Sequence, residues 1–255
     1  MAFPHPRPLS RARERGGRQA GVRAVGLASY PFIHSALSWR GARRVRYALI
    51  PAKELVLAKA RLAPALDAAG RRRLSLALFQ DVLAAALACP ALDRVAVVTR
   101  GGDAFRLATG AGAEALAKAG SLNEALASAA RSLAERGATR LIVLAADLPL
   151  ATPDEIASVA QAEADVALVP SQDGGTNALA LPPGRLEFQF GPDSASRHLA
   201  AARAAGLRVQ RLDLPGLAFD IDTPEDLAEL RARLERGERV GAHTRAALEQ
   251  LAVAH

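Results

Sequence analysis

Residues 140–155 read RLIVLAADLPLATPDE, and this stretch decides the fold. The run 140–146, apolar after its first residue, is typical of a strand that is buried on both faces. Asp147 then ends the strand, and Thr152 followed by Pro153 predicts the start of a helix with Thr152 as its N-cap. A buried strand followed directly by a helix is the repeating unit of a parallel sheet.

The same alternation continues along the chain on both sides of this stretch. Short runs rich in Val, Leu and Ala predict further strands, and Ala/Leu segments with helical spacing predict helices between them. Strands are predicted over 45–50, 94–99, 165–170, 177–181 and 208–214, and helices over 70–88, 122–136, 194–205 and from 222 onward. We therefore expect an α/β fold in which a mostly parallel sheet is sandwiched by helices.

The positive charge of the chain is concentrated at one end. The formal net charge is +7, but residues 1–46 hold ten Arg and one acid, Glu14, which gives +9 there and leaves −2 for the rest. A mildly acidic body has no basic face suited to a nucleic-acid duplex, so nucleic acid is not expected as a partner. We predict a disordered basic extension or a translated leader over 1–44, the catalytic domain over 45–235 and a C-terminal helical tail over 236–255.

Cysteine content and apolar run lengths bear on the compartment. Cys89 is the one cysteine, which excludes an internal disulfide and is compatible with a reducing cytoplasm. The longest apolar stretches are short strands or amphipathic helices, so no transmembrane span and no membrane partner are expected. We predict a cytoplasmic protein.

Carboxylates follow two of the apolar runs. Asp147 comes directly after the strand at 140–146, and Asp220 and Asp222 are two residues apart in an extended segment, so both side chains point to the same side. Paired carboxylates on one side repel each other unless a cation lies between them, and Mg²⁺ prefers such oxygen ligands. Asp222 could instead cap the following helix, but capping leaves Asp220 unexplained. We predict a Mg²⁺ site formed by Asp147, Asp220 and Asp222, which are also the catalytic candidates.

Two other regions have the chemistry of anion binding. Lys53, Lys59 and Arg61 follow the first strand and suit a triphosphate, although a solvated surface loop has the same composition. This loop lacks the glycines and the Gly-Lys-Ser/Thr ending of a P-loop, which argues against an ATPase or kinase of that class. The second region consists of the loops DGGTN at 173–177 and FQFGPDS at 188–194, whose glycines let backbone amides turn toward an anion.

His198 follows the second of these loops. Without a visible partner it is interpreted as structural or substrate-orienting, and the chain has no Gly-x-Ser-x-Gly turn of a serine hydrolase.

Six ordered motifs between 47 and 230 resemble one known family, the 2-phospho-L-lactate guanylyltransferases of coenzyme F-420 biosynthesis. The motifs are IPAKELVLAKARL, SLNEAL, AADLPL, PSQDGGTNAL, FQFGPDSASRH and DIDTPEDL. The resemblance implies a nucleotide-diphospho-sugar-transferase-like, Rossmann-like fold. It also implies transfer of GMP from GTP to a phosphorylated three-carbon acid, with hand-over of the product to the next F-420 biosynthetic enzyme. Phosphoenolpyruvate is favoured as the acid, and 2-phospho-L-lactate and 3-phosphoglycerate remain alternatives.

The motifs carry the family's site residues onto this sequence. By this resemblance Asp147, Asp220 and Asp222 are the metal ligands and Thr176, Gly191 and Ser194 bind the phosphorylated acid, while Lys53, Lys59, Arg61 and Asn123 bind the nucleotide. One position departs from the pattern: Asp193 stands where a small residue is expected, which adds a carboxylate beside an anion site.

Two other functions compete with this one. A molybdopterin cytidylyltransferase or sugar nucleotidyltransferase would resemble the fold, but those enzymes usually begin with a Gly-rich LAGGxSxRxG-type loop after the first strand, where this chain has IPAK at 50–53. A non-catalytic nucleotide- or RNA-binding module would use the Arg-rich segment as its RNA-binding arm.

Overall fold

The computed structural model describes residues 44–52, 59–117 and 119–253. Nearly all of the predicted basic extension, and Lys53 of the predicted triphosphate loop, therefore lie outside the described residues.

Within these described ranges, seven strands form one sheet in the order β3-β2-β1-β4-β6-β5-β7. Their pairing is parallel except on the two sides of β6, which runs antiparallel to β4 and to β5. The strands are β1 Arg46–Ala52, β2 Arg94–Thr99, β3 Glu114–Ala117, β4 Arg140–Leu144, β5 Val166–Pro170, β6 Thr176–Leu181 and β7 Val209–Arg211.

Helices cover both faces of this sheet, as predicted. They are α1 Ala68–Leu87, α2 Gly102–Gly110, α3 Leu122–Glu135, α4 Pro153–Gln161, α5 Ser194–Ala204, α6 Pro215–Ala218, α7 Pro224–Glu235 and α8 Ala242–Val253. Helices α1, α2, α4 and α6 pack on one face, and α3 and α5 pack on the other. The mostly parallel α/β sandwich predicted from the sequence is confirmed.

The alternation of side chains along the strands explains the two layers. In β1, Ala48 and Ile50 join the core under α1 and α4, while Tyr47 and Leu49 join the core under α3 and α5. Successive residues of a strand point to opposite faces, so a central strand needs apolar residues at every position. The central strand β4 meets that requirement at four of its five buried positions; the fifth is Arg140 at its start, whose guanidinium donates to the carbonyl of Ala164 at 3.1 Å.

The antiparallel direction of β6 follows from the length of the loop that precedes it. Only five residues, 171–175, separate β5 from β6, which is too short for the crossover that a parallel pair requires. The amino end of β6 therefore lies at the same edge of the sheet as the carboxyl ends of the parallel strands. Thr176 and Asn177 are brought to that edge in this way.

The chain end and several short elements complete the fold. Within 236–255, the predicted helical tail, α8 packs against α1, and Leu248 and Leu251 join a third buried cluster with residues of α1 and α7. The carboxylate of Asp81 in α1 accepts hydrogen bonds from the backbone amides of His243 (3.0 Å) and Thr244 (2.8 Å) at the start of α8.

Helices α2 and α6 and strand β3 were not predicted, and β7 is shorter than the predicted 208–214. No helix of the described ranges has the length and apolarity needed to cross a bilayer.

Candidate functional site

Asp147 lies beside the segment that holds Asp220 and Asp222. They meet at the edge of the sheet where the carboxyl ends of the parallel strands lie. Asp147 lies three residues beyond the end of β4, and the backbone amide of Ile221 donates a hydrogen bond to its carbonyl oxygen at 3.3 Å. Ile221 is fully buried in the third apolar cluster. Because Ile221 faces the core, Asp220 and Asp222 on either side of it face the edge, as the spacing predicts.

The three carboxylates form one cluster. Each of Asp147, Asp220 and Asp222 offers an oxygen, and these oxygens all lie within 4.8 Å of one another. Opposite ligands of an octahedral Mg²⁺ ion are about 4.2 Å apart, because each Mg–O bond is about 2.1 Å long. The donor set and its spacing therefore fit a hard divalent cation after a small contraction.

The alternative role of Asp222 as a helix cap is not what the structure contains. The N-cap of α7 is Thr223, whose side chain accepts a hydrogen bond from the amide of Asp226 in a reciprocal capping box. The backbone amide of Asp222 donates to the Asp226 carboxylate at 2.9 Å, and its own carboxylate remains directed toward the cluster.

Lys59 and Arg61 lie against this cluster. The buried ammonium of Lys59 forms ion pairs with Asp147 and, at 2.7 Å, with Asp222, and Arg61 forms an ion pair with the other oxygen of Asp222. Burial alone would lower the pKa of Lys59, but the charges of the two carboxylates outweigh it and raise the pKa, so Lys59 is cationic. Lys59 has left-handed backbone angles, φ 64° and ψ 39°, that turn the chain at this point.

Asp220 differs from its neighbours in lacking an ion-pair partner among the described residues. Burial, followed by repulsion from Asp147, raises the pKa of Asp220 from 3.8 to about 6, against the opposing hydrogen bond from Asn177 Nδ2 at 3.1 Å. Burial also acts to raise the pKa of Asp222, but Lys59 and Arg61 reverse that effect and lower it. Asp220 is thus the one carboxylate of the cluster that forms no ion pair among the described residues.

The predicted acid-binding residues form a second, adjoining network. Ser194 Oγ lies 3.0 Å from Thr176 Oγ1, and His198 Nδ1 lies 3.1 Å from the same atom. The backbone amide of Ala195 donates to the carbonyl of Gly174 at 3.2 Å, which joins the two glycine-containing loops. The structure therefore brings Thr176 and Ser194 together.

The loop before α5 has two residues with positive φ. Gly191 has φ 136°, which favours glycine, and a Cβ there would lie 3.3 Å from the guanidinium of Arg197. Asp193 has φ 52° and is the N-cap of α5, but its side chain makes no capping hydrogen bond. Asp193 is exposed, and its carboxylate borders the DGGTN loop, since a Cβ on Gly174 would lie 3.4 Å from Asp193 Oδ1.

The side-chain amide of Asn123 forms hydrogen bonds with the protein backbone. Its side-chain oxygen accepts from the backbone amide of Phe190 at 2.9 Å, and its side-chain nitrogen donates to the carbonyl of Phe190 at 3.2 Å. These bonds fasten the loop that precedes α5 to the first turn of α3. The contact of Asn123 with the nucleotide stays a prediction, and the structure assigns its amide to this loop.

Sequence reasoning missed the role of Asn177, which connects the two networks. Thr176 belongs to the Ser194–His198 network, while the next residue, Asn177, donates to Asp220. The register of β5 and β6 shifts at Val169/Pro170, opposite this pair. The side-chain amide beside the DGG turn was the available signal, but its partner lies 43 residues away in sequence.

Solved structures of two transferases share this fold. A protein from Desulfovibrio desulfuricans G20 described as a nucleotide-diphospho-sugar transferase superposes with a TM-score of 0.66 at 20% identity, covering 80% of this chain and 94% of that one. A nucleotidyl transferase from Methanothermobacter thermautotrophicus superposes with a TM-score of 0.56 at 17% identity, covering 76% of this chain and 99% of the other. These two likenesses show the class of fold, that of the nucleotide-diphospho-sugar transferases.

Within that class the chain belongs to the family described as guanylyl transferase CofC like, which residues 46–253 match. A phosphoenolpyruvate guanylyltransferase of Conexibacter woesei is 39% identical over 214 residues, covering 80% of this chain and 96% of that protein. A protein of the same name from Sphaerobacter thermophilus is 44% identical over 188 residues, covering 72% and 91%. The family resemblance found in the sequence motifs is thereby confirmed.

Proposed function

We propose that this chain is a Mg²⁺-dependent enzyme that transfers GMP from GTP to phosphoenolpyruvate and releases pyrophosphate. The single observation that carries the proposal is the meeting of Asp147 with Asp220 and Asp222 in a chain of the guanylyl transferase family. The names of the curated relatives support phosphoenolpyruvate as the acid. 2-Phospho-L-lactate and 3-phosphoglycerate are the alternatives to be tested against it.

The metal would be held by Asp147, Asp220 and Asp222. The lack of an ion-pair partner for Asp220 among the described residues supports this assignment, because a bound cation would reduce the repulsion among the three carboxylates. Charge neutralisation at the α-phosphate and the departing pyrophosphate is the chemistry that Mg²⁺ supplies in such a site.

Lys59 and Arg61 are proposed to bind triphosphate oxygens. Their ion pairs with Asp147 and Asp222 hold two cationic groups directly beside the proposed metal site. Lys53 is proposed to join them, and it lies outside the described residues. Asn123, whose side chain is also bonded to the backbone of Phe190, is proposed to bind the nucleotide.

The reaction needs alignment more than proton transfer. An oxygen of the acid's phosphate attacks the α-phosphorus of GTP, a new phosphorus–oxygen bond forms, and the bond to pyrophosphate breaks. The attacking oxygen is already anionic, so no general base is required. Thr176, Ser194 and the backbone at Gly191 are proposed to hold the phosphorylated acid: the Thr176 hydroxyl and the Gly191 amide would donate to its oxygens, and Ser194 would orient the Thr176 hydroxyl by donating to it.

The product would be GMP joined to the acid through a diphosphate, which we propose passes to the next enzyme of coenzyme F-420 biosynthesis. A cytoplasmic setting is proposed with it, since the one cysteine, Cys89, is free and buried.

A nucleotide-specificity assay tests the proposal. The purified protein is incubated with phosphoenolpyruvate, Mg²⁺ and each of the four nucleoside triphosphates, and pyrophosphate release is measured. Release with GTP alone, lost in Asp147→Asn, supports the proposal. Release with CTP alone would replace it with a cytidylyltransferase, and salt-sensitive RNA binding without release would replace it with a binding module.

A further inference from the structure

His198 is completely buried, and both of its ring nitrogens make hydrogen bonds. The backbone amide of Gln189 donates to Nε2 at 2.9 Å, so Nε2 carries no hydrogen. Nδ1 must then carry the hydrogen of the neutral ring, and it donates to Thr176 Oγ1 at 3.1 Å. Burial, with a smaller contribution from the charge of Arg197, lowers the pKa of His198 from 6.5 to about 4, so the ring is neutral near pH 7.

This arrangement determines what the Thr176 hydroxyl can do. A hydroxyl group has two acceptor lone pairs and one hydrogen to donate. The Nδ1–H of His198 uses one lone pair, and the hydroxyl of Ser194, at 3.0 Å, uses the other. The remaining hydrogen-bonding capacity of Thr176 is its own hydrogen, which is the element that an anionic ligand requires.

The same ring also holds the neighbouring loop. The residue bonded to Nε2, Gln189, lies two residues before Gly191, and Phe190 between them packs edge-on against the ring of His198 at 5.0 Å between centroids. His198 is 0% exposed among the described residues, so a ligand cannot contact its ring. Its effect on a ligand must pass through Thr176 and the loop.

We infer that His198 is a positioning residue that holds the Thr176 hydroxyl as a hydrogen-bond donor toward the anionic group of the phosphorylated acid. This role rests on the proposed function. His198 does not touch the substrate and transfers no proton during the reaction. A purely structural histidine would instead affect folding and both substrates equally.

Two variants separate the two ring nitrogens. In His198→Asn the side-chain amide can take the place of Nδ1–H and still donate to Thr176, whereas in His198→Gln the side-chain oxygen can take the place of Nε2 and the donor to Thr176 is lost. We expect His198→Gln to raise the KM for the acid about tenfold, since the Thr176 hydroxyl, without the Nδ1–H donor, is free to turn its hydrogen away and its hydrogen bond to the charged acid is weakened. The KM for GTP should stay within about twofold, and His198→Asn should have the smaller effect on the acid. His243→Gln, at an exposed histidine in α8, is the matched control.

A double-mutant cycle tests the path through Thr176. Thr176→Val removes the hydroxyl and should raise the KM for the acid, and adding His198→Gln should raise it no further if His198 acts through that hydroxyl. Independent, additive effects would overturn the inference, as would equal increases in the two KM values.

A spectroscopic measurement needs no variant to be active. The ¹⁵N shifts of the His198 ring in the wild-type protein at pH 7 should be those of a neutral ring protonated at Nδ1, with His198→Gln identifying the signal. A ring protonated at Nε2 or at both nitrogens would overturn the inference. If the wild-type protein transfers no GMP to any of the three acids, the proposed function fails first, and the positioning role falls with it.

Discussion

Replacing Asp220 with asparagine should remove activity and, without metal, make the protein more stable. Asp220 is the carboxylate of the cluster with no ion-pair partner among the described residues, and burial followed by repulsion from Asp147 raises its pKa from 3.8 to about 6. Asparagine has nearly the same shape and no charge, and its side-chain oxygen can still accept the hydrogen bond from Asn177. The substitution therefore removes the repulsion and keeps the packing.

The size and the pH dependence of the effect follow from the pKa. Between pH 3.8 and about 6 the native protein binds a proton at Asp220 more tightly than the unfolded chain does, so stability falls as the pH rises through this window. Each pKa unit corresponds to about 1.4 kcal/mol, so at pH 7 the charge costs the metal-free protein about 3 kcal/mol at most. Asp220→Asn should recover about 2–3 kcal/mol at pH 7 and almost nothing at pH 4.

The assay is urea unfolding in EDTA at both pH values, with Asp213→Asn, at an exposed carboxylate outside the cluster, as the control. Adding Mg²⁺ should then stabilise the wild type through binding and stabilise Asp220→Asn much less. If Asp220→Asn instead loses stability at pH 7 in EDTA, Asp220 serves the fold, and the reasoning about an uncompensated charge is refuted.

Three further outcomes are expected. Because the folded-state pKa of His198 is about 4 against 6.5, its contribution to stability is present above pH 6.5 and is lost as the pH falls toward 4. In urea unfolding, the free energy of unfolding of the wild type should fall by about 2–3 kcal/mol more than that of His198→Gln when the pH is lowered from 7 to 4.5. Asp81→Ala should cost about 1–3 kcal/mol in the same assay, because two backbone amides of α8 lose their acceptor, and an unchanged stability would show that α8 does not depend on this cap. Deleting residues 1–43 should leave kcat and KM unchanged, since the site residues lie beyond 46, and a loss of turnover would assign that segment to catalysis.

Local sequence signals predicted the elements that place the carboxylates. The apolar run before Asp147 gives β4, the Thr152-Pro153 pair gives the start of α4, and the spacing of Asp220 and Asp222 puts both side chains on one side. These features depend on residues that are close in sequence, where strand periodicity and capping rules apply directly.

Local sequence patterns could not predict the contacts between residues that are far apart in sequence. Lys59 was predicted to face a triphosphate, but its ion pairs with Asp147 and Asp222 span 88 and 163 residues and depend on a left-handed turn at Lys59 itself. The same limit applies to Asn123, whose amide is used by a loop 67 residues away. Periodicity carries no information about such pairs, because they are determined by the packing of whole elements.

The central claim is tested most directly by mass spectrometry of the products formed from GTP, Mg²⁺ and an equal mixture of phosphoenolpyruvate, 2-phospho-L-lactate and 3-phosphoglycerate. We expect pyrophosphate together with one dominant adduct, GMP joined through a diphosphate to phosphoenolpyruvate, and no adduct when EDTA replaces Mg²⁺. Hydrolysis of GTP with no acid joined to GMP, or an adduct that forms equally well in EDTA, would contradict it.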